Sequence, residues 1–326
     1  MFPSSPLLCL LAAVIGTVPP PSVSAWTTPR RPSSARRNTS SSSSSELNLA
    51  PQQLGSFETL DLAPDVIAQR VVRLESYLSS SSSSSSFDHH HDQEDNQNNN
   101  NNLPRVPYQQ GWDRQQELWQ AHADRIMAAG SGNTESSAFG TTTAGGDAIL
   151  ILQHEPIYTL GTASDETLIT GNDDGAIPVQ RINRGGEVTY HGPGQLTVYP
   201  VLDLRQYRQD IHWYMRALEQ VVILALQRVG VPDAQRDEET TGVWVQNHKV
   251  AAVGVHARKW ITQHGLAINV TPQSLEPFTQ IVPCGLHGRN VGSVQQFCDH
   301  EVTMKDMAEA VVAAFEEVFE ISLQEA

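Results

Sequence analysis

The chain is poor in cysteine, in basic residues and in long apolar runs, and each shortage removes a class of protein. Three cysteines in 326 residues, Cys9, Cys284 and Cys298, are too few for a disulfide framework. A formal charge of −15 argues against a general nucleic-acid binder, which carries a basic patch or stripe. Four arginines and no acids occupy the first 45 residues, so the remainder carries −15 − 4 = −19. No apolar run spans a bilayer comfortably, so no membrane association is expected of the mature chain. Two phosphate-binding patterns are also missing. Neither Gly-x-x-x-x-Gly-Lys-Ser/Thr nor Gly-x-Gly-x-x-Gly occurs, which leaves a generic phosphate cradle weakly supported.

What is present begins with an address. Pro6–Val18 is a short apolar run followed by Val23-Ser24-Ala25, the pattern of a signal-peptide core and its cleavage site. From Trp26 to Ser45 the chain is rich in Ser, Thr, Pro and Arg, and its first acid is Glu46; this is transit-peptide composition. The Val-Ser-Ala-Trp junction resembles the bipartite presequences of algae with secondary plastids, which implies a plastid address. Secretion and a mitochondrial address are the alternatives. The expected organisation is a signal peptide over residues 1–25, a transit segment over 26–50 and one folded domain over 51–326. A run of serines, histidines, acids and asparagines from Ser79 to Asn102 cannot bury apolar surface and is expected to be a disordered insert, residues 79–104. His89–His91 belongs to that drift rather than to a metal site.

The rest has globular periodicity. Phe57–Leu78 is expected to supply a first strand and part of a helix. Trp112, Trp119, Ile126 and Met127 fall near helical spacing, ending at Gly130. Asp147–Gln153 is a continuous apolar strand, and Val188–Leu202 reads as a strand pair around the His-Gly-Pro-Gly turn. Asp210 is a good N-cap for a helix over Ile211–Val229 that closes at Gly230. Thr241–Val245 and Lys249–Val255 form a hairpin, Ile261–Val270 continues the sheet, and Met304–Phe319 is the last helix. The predicted fold class is α/β (α+β), a mixed sheet flanked by helices.

Chemistry concentrates in a few places. Arg184–Tyr199 carries four glycines, a proline and a histidine, the composition of a binding loop. Arg184 could pair with a phosphate or carboxylate, or cap a loop. His191 and His264 each precede glycine and could orient a ligand carbonyl, or pack in the core. Lys249 opens an apolar strand, where lost hydration would let it shuttle protons; an ordinary hairpin lysine is the alternative. Cys284, between Pro283 and Gly285, is a nucleophile if a nearby cation favours its thiolate, and a small buried hydrophobe otherwise. Cys284-x-x-His287 with Cys298-x-His300 has zinc-ligand types, although Cys-x-His is tighter than the usual pair.

Arg184-Gly-Gly-Glu-Val-Thr-Tyr-His-Gly-Pro-Gly-Gln-Leu-Thr-Val-Tyr199, Thr241-Gly-Val-Trp-Val245, Lys249-Val-Ala-Ala-Val-Gly254, His264-Gly-Leu-Ala-Ile-Asn269 and Pro283-Cys-Gly285 together resemble the lipoyl(octanoyl) transferases in order and spacing. The resemblance runs from about Tyr108 to the C-terminus. It implies a biotin/lipoate protein ligase-like catalytic domain that moves octanoyl from octanoyl-acyl-carrier-protein to a lysine of apo lipoyl domains. Those domains would belong to 2-oxoacid dehydrogenase complexes or the glycine cleavage H protein. It implies a thioester on Cys284, with Lys249 as acid/base. Arg184, Gly185, Gly186, Tyr190, His191, Gly192, Gly254, His264, Gly265 and Ala267 would line the acyl and carbonyl sites. No cofactor and no metal are called for, and a monomer is implied. An acidic donor meeting an acidic enzyme needs a local basic rim, for which Arg181, Arg184, Arg205, Arg258, Lys259 and Arg289 are candidates. The rivals are an ATP-dependent lipoate or biotin ligase, which needs no cysteine, and a non-catalytic zinc or carrier-binding module.

Overall fold

The computed structural model describes residues 70–78, 104–130, 146–172, 174–238, 240–282 and 289–326, all within the unit Leu54–Ala326. The expected presequence, residues 57–69 and almost all of the expected insert lie outside the described residues. The elements are β1 (Val71–Ser76), α1 (Tyr108–Gly130), β2 (Ala148–Leu152), β3 (Ile157–Leu160), β4 (Val179–Arg181), β5 (Val188–His191) and β6 (Gln195–Val201). They continue with α2 (Ile211–Arg228), β7 (Gln235–Arg236), β8 (Val243–Val245), β9 (His248–Arg258), β10 (Ile261–Asn269), β11 (Asn290–Val291), α3 (Met304–Phe319) and β12 (Ser322–Glu325). None of these helices is long and apolar enough to cross a membrane.

Among the described residues, nine strands form a mixed sheet in the order β12-β1-β2-β6-β10-β9-β8-β7, with β11 beside β9, and β4-β3-β5 form a second sheet. β1 runs parallel to β12 and β2, while β2-β6-β10-β9-β8 is antiparallel throughout. Two tight turns make the central hairpins. Gln246 and Asn247, then Lys259 and Trp260, all take positive φ, the geometry whose twist matches that of the flanking strands. The sheet's interior strands are buried on both faces because both are covered; every residue of β2 is 1% exposed or less.

One face packs on α2 and α3. Asp210 caps α2, its carboxylate accepting from His212 N at 2.9 Å and Trp213 N at 3.1 Å. The helix ends at Gly230, φ +88, where Gly230 N donates to Gln227 O and Val231 N to Leu226 O, a glycine-dependent Schellman closure. Thr303 and Asp306 cap α3 reciprocally. Met307, Val311, Phe315 and Phe319 then pack against Leu218, Val222 and the sheet. Each such side chain contributes about 1.5–3 kcal/mol by leaving water.

The opposite face packs on α1 and, through the loop at Gly185, on the small sheet. Two expectations change here. The buried side of α1 is Tyr108, Gly111, Gln115, Leu118, His122 and Ala123, whereas Trp112, Trp119 and Ile126 are half-buried and Met127 is 55% exposed. Polar anchors turn the helix: Gln115 accepts from His264 N at 2.7 Å, and His122 lies 3.4 Å from Asp147. The expected strand pair also separates. β5 pairs with β3 in the small sheet, while β6 pairs with β2 and β10 in the large one. Both strands are buried at every residue, so alternation could not reveal that the Gly192–Gly194 turn passes the chain between sheets.

Candidate active site

The middle of β9 and β10 is floored by small residues. Gly254 pairs with Gly265, and Ala252 with Ala267. Leu266 and Ile268 enter the core under α2 and α3, which leaves Gly265 and Ala267 toward the opposite face. A Cβ on Gly254 would stand 3.2 Å from both Arg184 Cδ and Gly185 O. Glycine at 254 thus lets the small sheet's loop close onto β9, and Gly185 N donates to Val255 O at 3.0 Å.

Arg184 is 7% exposed and braces that loop. Its Nη2 donates to Thr159 O at 2.8 Å and Thr159 Oγ1 at 2.9 Å, and its Nη1 to Gly185 O at 3.0 Å. Gly186 takes φ +87. Its carbonyl lies where a Cβ on Gly161 would stand. Tyr190 reaches back in the same way, its hydroxyl filling the space beside Gly192.

Three histidines surround this brace. His191 Nδ1 is 2.8 Å from Gln195 Oε1, while Gln195 Nε2 donates to Tyr190 O and Asn269 Oδ1. His154 Nδ1 is 2.9 Å from Val106 O, and its Nε2 is 2.7 Å from the Tyr199 hydroxyl. His264, φ +58, puts Nε2 2.7 Å from Asn183 Oδ1 and stacks on Trp112 at 5.0 Å. These partners fix the tautomers: Nδ1–H on His191 and His154, Nε2–H on His264. Burial holds all three rings neutral. His191 is pushed down to about 3 by burial and then by His154 and Arg184. His264 falls to about 3 by burial and then Arg184 and His256, and His154 to about 4 by burial. Tyr108 closes the group, stacked 6.3 Å from His191 and tilted 5.2 Å from His154.

Lys249 is 7% exposed and is aimed by a bulge. Val243 pairs with Ala251 but Trp244 pairs with Lys249, so Val250 is an extra residue on β9. Val250 and Ala251 both enter the core under α2 and α3. The alternation is thereby reversed, and Lys249 turns to the face that carries Ala252 and Gly254. Bulges re-aim side chains in this way. The Lys249 ammonium lies 5.7 Å from the Trp244 ring centroid, and the Arg289 guanidinium 3.7 Å from the same ring. Asp237 holds Arg289 at 2.7 Å.

Cys284 and His287 lie outside the described residues. The described flanks are fixed: Val282 N donates to Leu168 O at 2.8 Å, and β11 runs parallel to β9 with Asn290 opposite His248 and Val291 opposite Lys249. Cys298 donates to Val229 O at 3.4 Å, and burial pushes its thiol up. Among the described residues no three His, Cys, Asp or Glu side chains are grouped as metal ligands.

The structure therefore brings Arg184, Gly185, Gly186, His191, Gly254 and His264 together. Lys249 stands five residues along β9, roughly 16 Å from Gly254 at about 3.3 Å per residue. The candidate basic rim is not contiguous. Arg184 is buried, Arg205 is paired with Asp203 and Arg181 with Glu166. Arg258 and Lys259 sit at the far end of β9, and Arg289 alone of the six neighbours Trp244 and Lys249. Sequence reasoning missed Tyr108, His154, Thr159, Asn183, Gln195 and Tyr199. Gln195 and Tyr199 lay inside the singled-out motif, and His154 directly followed an expected strand; the others carried no signal.

Residues 132–316 match the lipoyl protein ligase A/B catalytic domain, and the chain belongs to that family. Its relatives are octanoyltransferases, and the chain is accordingly an acyltransferase of that kind, acting in octanoyl or lipoyl transfer. "Octanoyltransferase LIP2p2, chloroplastic" of Arabidopsis thaliana is 40% identical over 229 residues, covering 67% of this chain and 77% of the relative. The octanoyltransferase of Synechococcus sp. (strain WH7803) is 47% identical over 194 residues, 59% of this chain and 73% of the relative. That of Gloeobacter violaceus is 42% identical over 222 residues, 67% and 89% of the two chains. Protein Ta0514 of T. acidophilum, solved with bound lipoic acid, shares the fold at a TM-score of 0.50 and 17% identity, over 69% of this chain and 86% of that one.

Proposed function

We propose that the enzyme takes octanoyl from octanoyl-acyl-carrier-protein onto Cys284 and passes it to a lysine of apo lipoyl domains. The acceptors are those of 2-oxoacid dehydrogenase complexes or the glycine cleavage H protein. The Cys284 thiolate attacks the carrier thioester carbon; the carbon–sulfur bond to the carrier breaks and its sulfur leaves with the proton that the Lys249 ammonium gives up, which leaves Lys249 a neutral amine. The acceptor amine then attacks the Cys284 thioester. An amide forms, the Cys284 thiolate departs, and the amine's proton passes to Lys249. The observation that carries this reading is the Val250 bulge, which turns a buried lysine onto the face floored by Ala252, Gly254 and Ala267. An extended octanoyl chain is shorter than the span from Lys249 to the Arg184 brace and fits within it. Its methylenes would contribute about 0.8 kcal/mol each on burial, so chain length is selected by floor length. Cys284 precedes by only five residues Arg289, which shares the Trp244 ring with Lys249. Arg184, Gly185, Gly186, Tyr190, His191, Gly192, His264 and Gly265 bind the acyl group in this reading. The chloroplastic relative supports a plastid address for the leader, and the reading requires no cofactor.

The test is an intact-mass spectrum after brief exposure to octanoyl-acyl-carrier-protein without ATP. The expected result is an octanoyl adduct that maps to Cys284 and leaves when apo lipoyl domain is added. Acceptor modification only with ATP and free acid, and no adduct, would overturn the proposal in favour of a ligase.

A further inference from the structure

A carboxylate buried far from the acyl-binding loops has no role in the chemistry above. Glu219, on α2, is 0% exposed. Its Oε2 receives Arg216 at 2.8 Å and Arg236 at 3.3 Å, and Arg236 lies on β7 beside Val243. Two guanidiniums account for the charge. They leave Oε1, which accepts the backbone N–H of Gly242 at 2.8 Å.

Gly242, the donor of this bond, has an unusual conformation. Its φ is +131, open to glycine and strained for other residues. A Cβ there would stand 2.6 Å from Lys249 Cε, 3.3 Å from Lys249 Nζ and 2.6 Å from Ala251 O. The backbone at 242 is thus a wall against the last methylene of Lys249. Beyond that methylene the ammonium lies 5.7 Å from the Trp244 ring centroid. The same turn is held further upstream, where Asp237 accepts from Thr240 N and Oγ1 at 2.9 Å and pairs with Arg289.

We propose that Glu219 is a positioning residue for Lys249: through the Gly242 N–H it fixes the wall that holds the ammonium in place. The inference rests on the reading of Lys249 as the acid/base. Without an acceptor, the Gly242 N–H is buried and unpaired, which a protein relieves by moving the backbone. A wall moved by about 1 Å misplaces the ammonium by a similar distance, enough for roughly a 10²-fold loss of rate.

The experiment is a double-mutant cycle on the full chain, with kcat and KM measured at a temperature where each variant is folded. Glu219→Ala is expected to lower kcat about 10²-fold with KM for octanoyl-acyl-carrier-protein within twofold. Glu219→Gln, which keeps an oxygen for Gly242 N–H, is expected to recover most of that loss. In a Lys249→Ala background Glu219→Ala is expected to lower the residual rate no further, because its effect passes through the lysine. Equal losses in both backgrounds, or an unchanged kcat, overturn the proposal. If Glu219→Ala does not fold, Glu219→Asp, whose carboxylate falls one methylene short of the Gly242 N–H, takes its place in the same cycle, and a loss that persists in Lys249→Ala is the overturning result. Wild-type turnover by Lys249→Ala alone is a separate outcome that removes the underlying reading.

Discussion

Under α2 and α3 the large sheet meets Val311, Phe315 and Phe319, all fully buried and all apolar. On the other face, beneath α1 and the small sheet, the buried residues include Gln115, His154, Arg184, His191, Gln195, His264 and Lys249. The first face is held by area removed from water. The second is held by hydrogen bonds between side chains distant in sequence, such as His264 N to Gln115 and Arg184 to Thr159. Its backbone contacts are close enough to demand glycine. The difference teaches where this protein places its risk. An apolar core tolerates repacking, while a buried polar network costs heavily when one member goes. The polar face is also the one that carries the family's motifs.

The sharpest way to break the comparison is to disable chemistry while leaving the apolar layer intact. Cys284→Ser and Lys249→Ala are each expected to lower transfer by on the order of 10³-fold or more, with circular dichroism still that of a folded domain. Turnover near wild type in either variant would sink the mechanism. Next in size is Phe315→Ala, which opens a cavity in the apolar layer. It should cost about 3–5 kcal/mol, seen as a lower denaturation midpoint, with kcat per folded molecule unchanged. A fall in kcat would mean that the two faces are coupled. Gly161→Ala addresses the other face. The added methyl overlaps Gly186 O and would stand 2.8 Å from Arg184 Nη1, so the loop must shift; a loss of about 10²-fold in kcat/KM is expected.

How much of this was legible beforehand follows the same division. α2 and α3 were readable because their caps and stripes are local: Asp210, Gly230 and the Met307–Phe315 spacing determine them within a few turns. The β8–β9 and β9–β10 hairpins were equally local. The parting of β5 from β6 was not, since two fully buried strands look alike whichever sheet they join. β12 was missed because it is a polar strand that, among the described residues, pairs only with β1. In the site, the glycine-rich segment and Lys249 announced themselves. The bulge that aims Lys249, the Thr159 acceptor of Arg184 and the Tyr108 ring did not. Those depend on which strands meet, and their residue types are ordinary.

The pH dependence of stability separates the faces further. His122, His154, His191 and His264 all have folded values pushed below 6.5, to about 3 or 4, chiefly by burial. As pH falls below about 6.5 the unfolded chain therefore binds protons that the folded chain refuses, and stability is lost from there down to about 3. Asp147 acts in the opposite sense. Burial raises it to about 6 from 3.8, so its contribution is full below 3.8 and is lost as pH rises through about 6. Four imidazoles outweigh one carboxyl, and Tm is expected to fall between pH 7 and 5. His154→Gln should flatten the curve by about 1.4 kcal/mol per pH unit. An unchanged slope would mean that this ring is not held neutral.

The smallest effect is expected from removing the largest low-complexity tract. Its flanks are held side by side on β2: Tyr77 N donates to Ile151 O at 2.9 Å, and Val106 N to Gln153 O at 2.8 Å. These acceptors are two residues apart, about 7 Å along a strand. Val106 continues the line of β1 past the end of β2, bridging to His154 in parallel register. After deletion of the twenty-four residues Ser79–Asn102, the segment Leu103-Pro104-Arg105 still joins Leu78 to Val106 with slack. Activity should stay within a few-fold of wild type. Stability should rise slightly, since each halving of a loop recovers about 0.6 kcal/mol of closure entropy. Because Val106 O also holds the His154 ring, a large loss of activity would show that the tract sets the strain on this anchor, and with it the polar face.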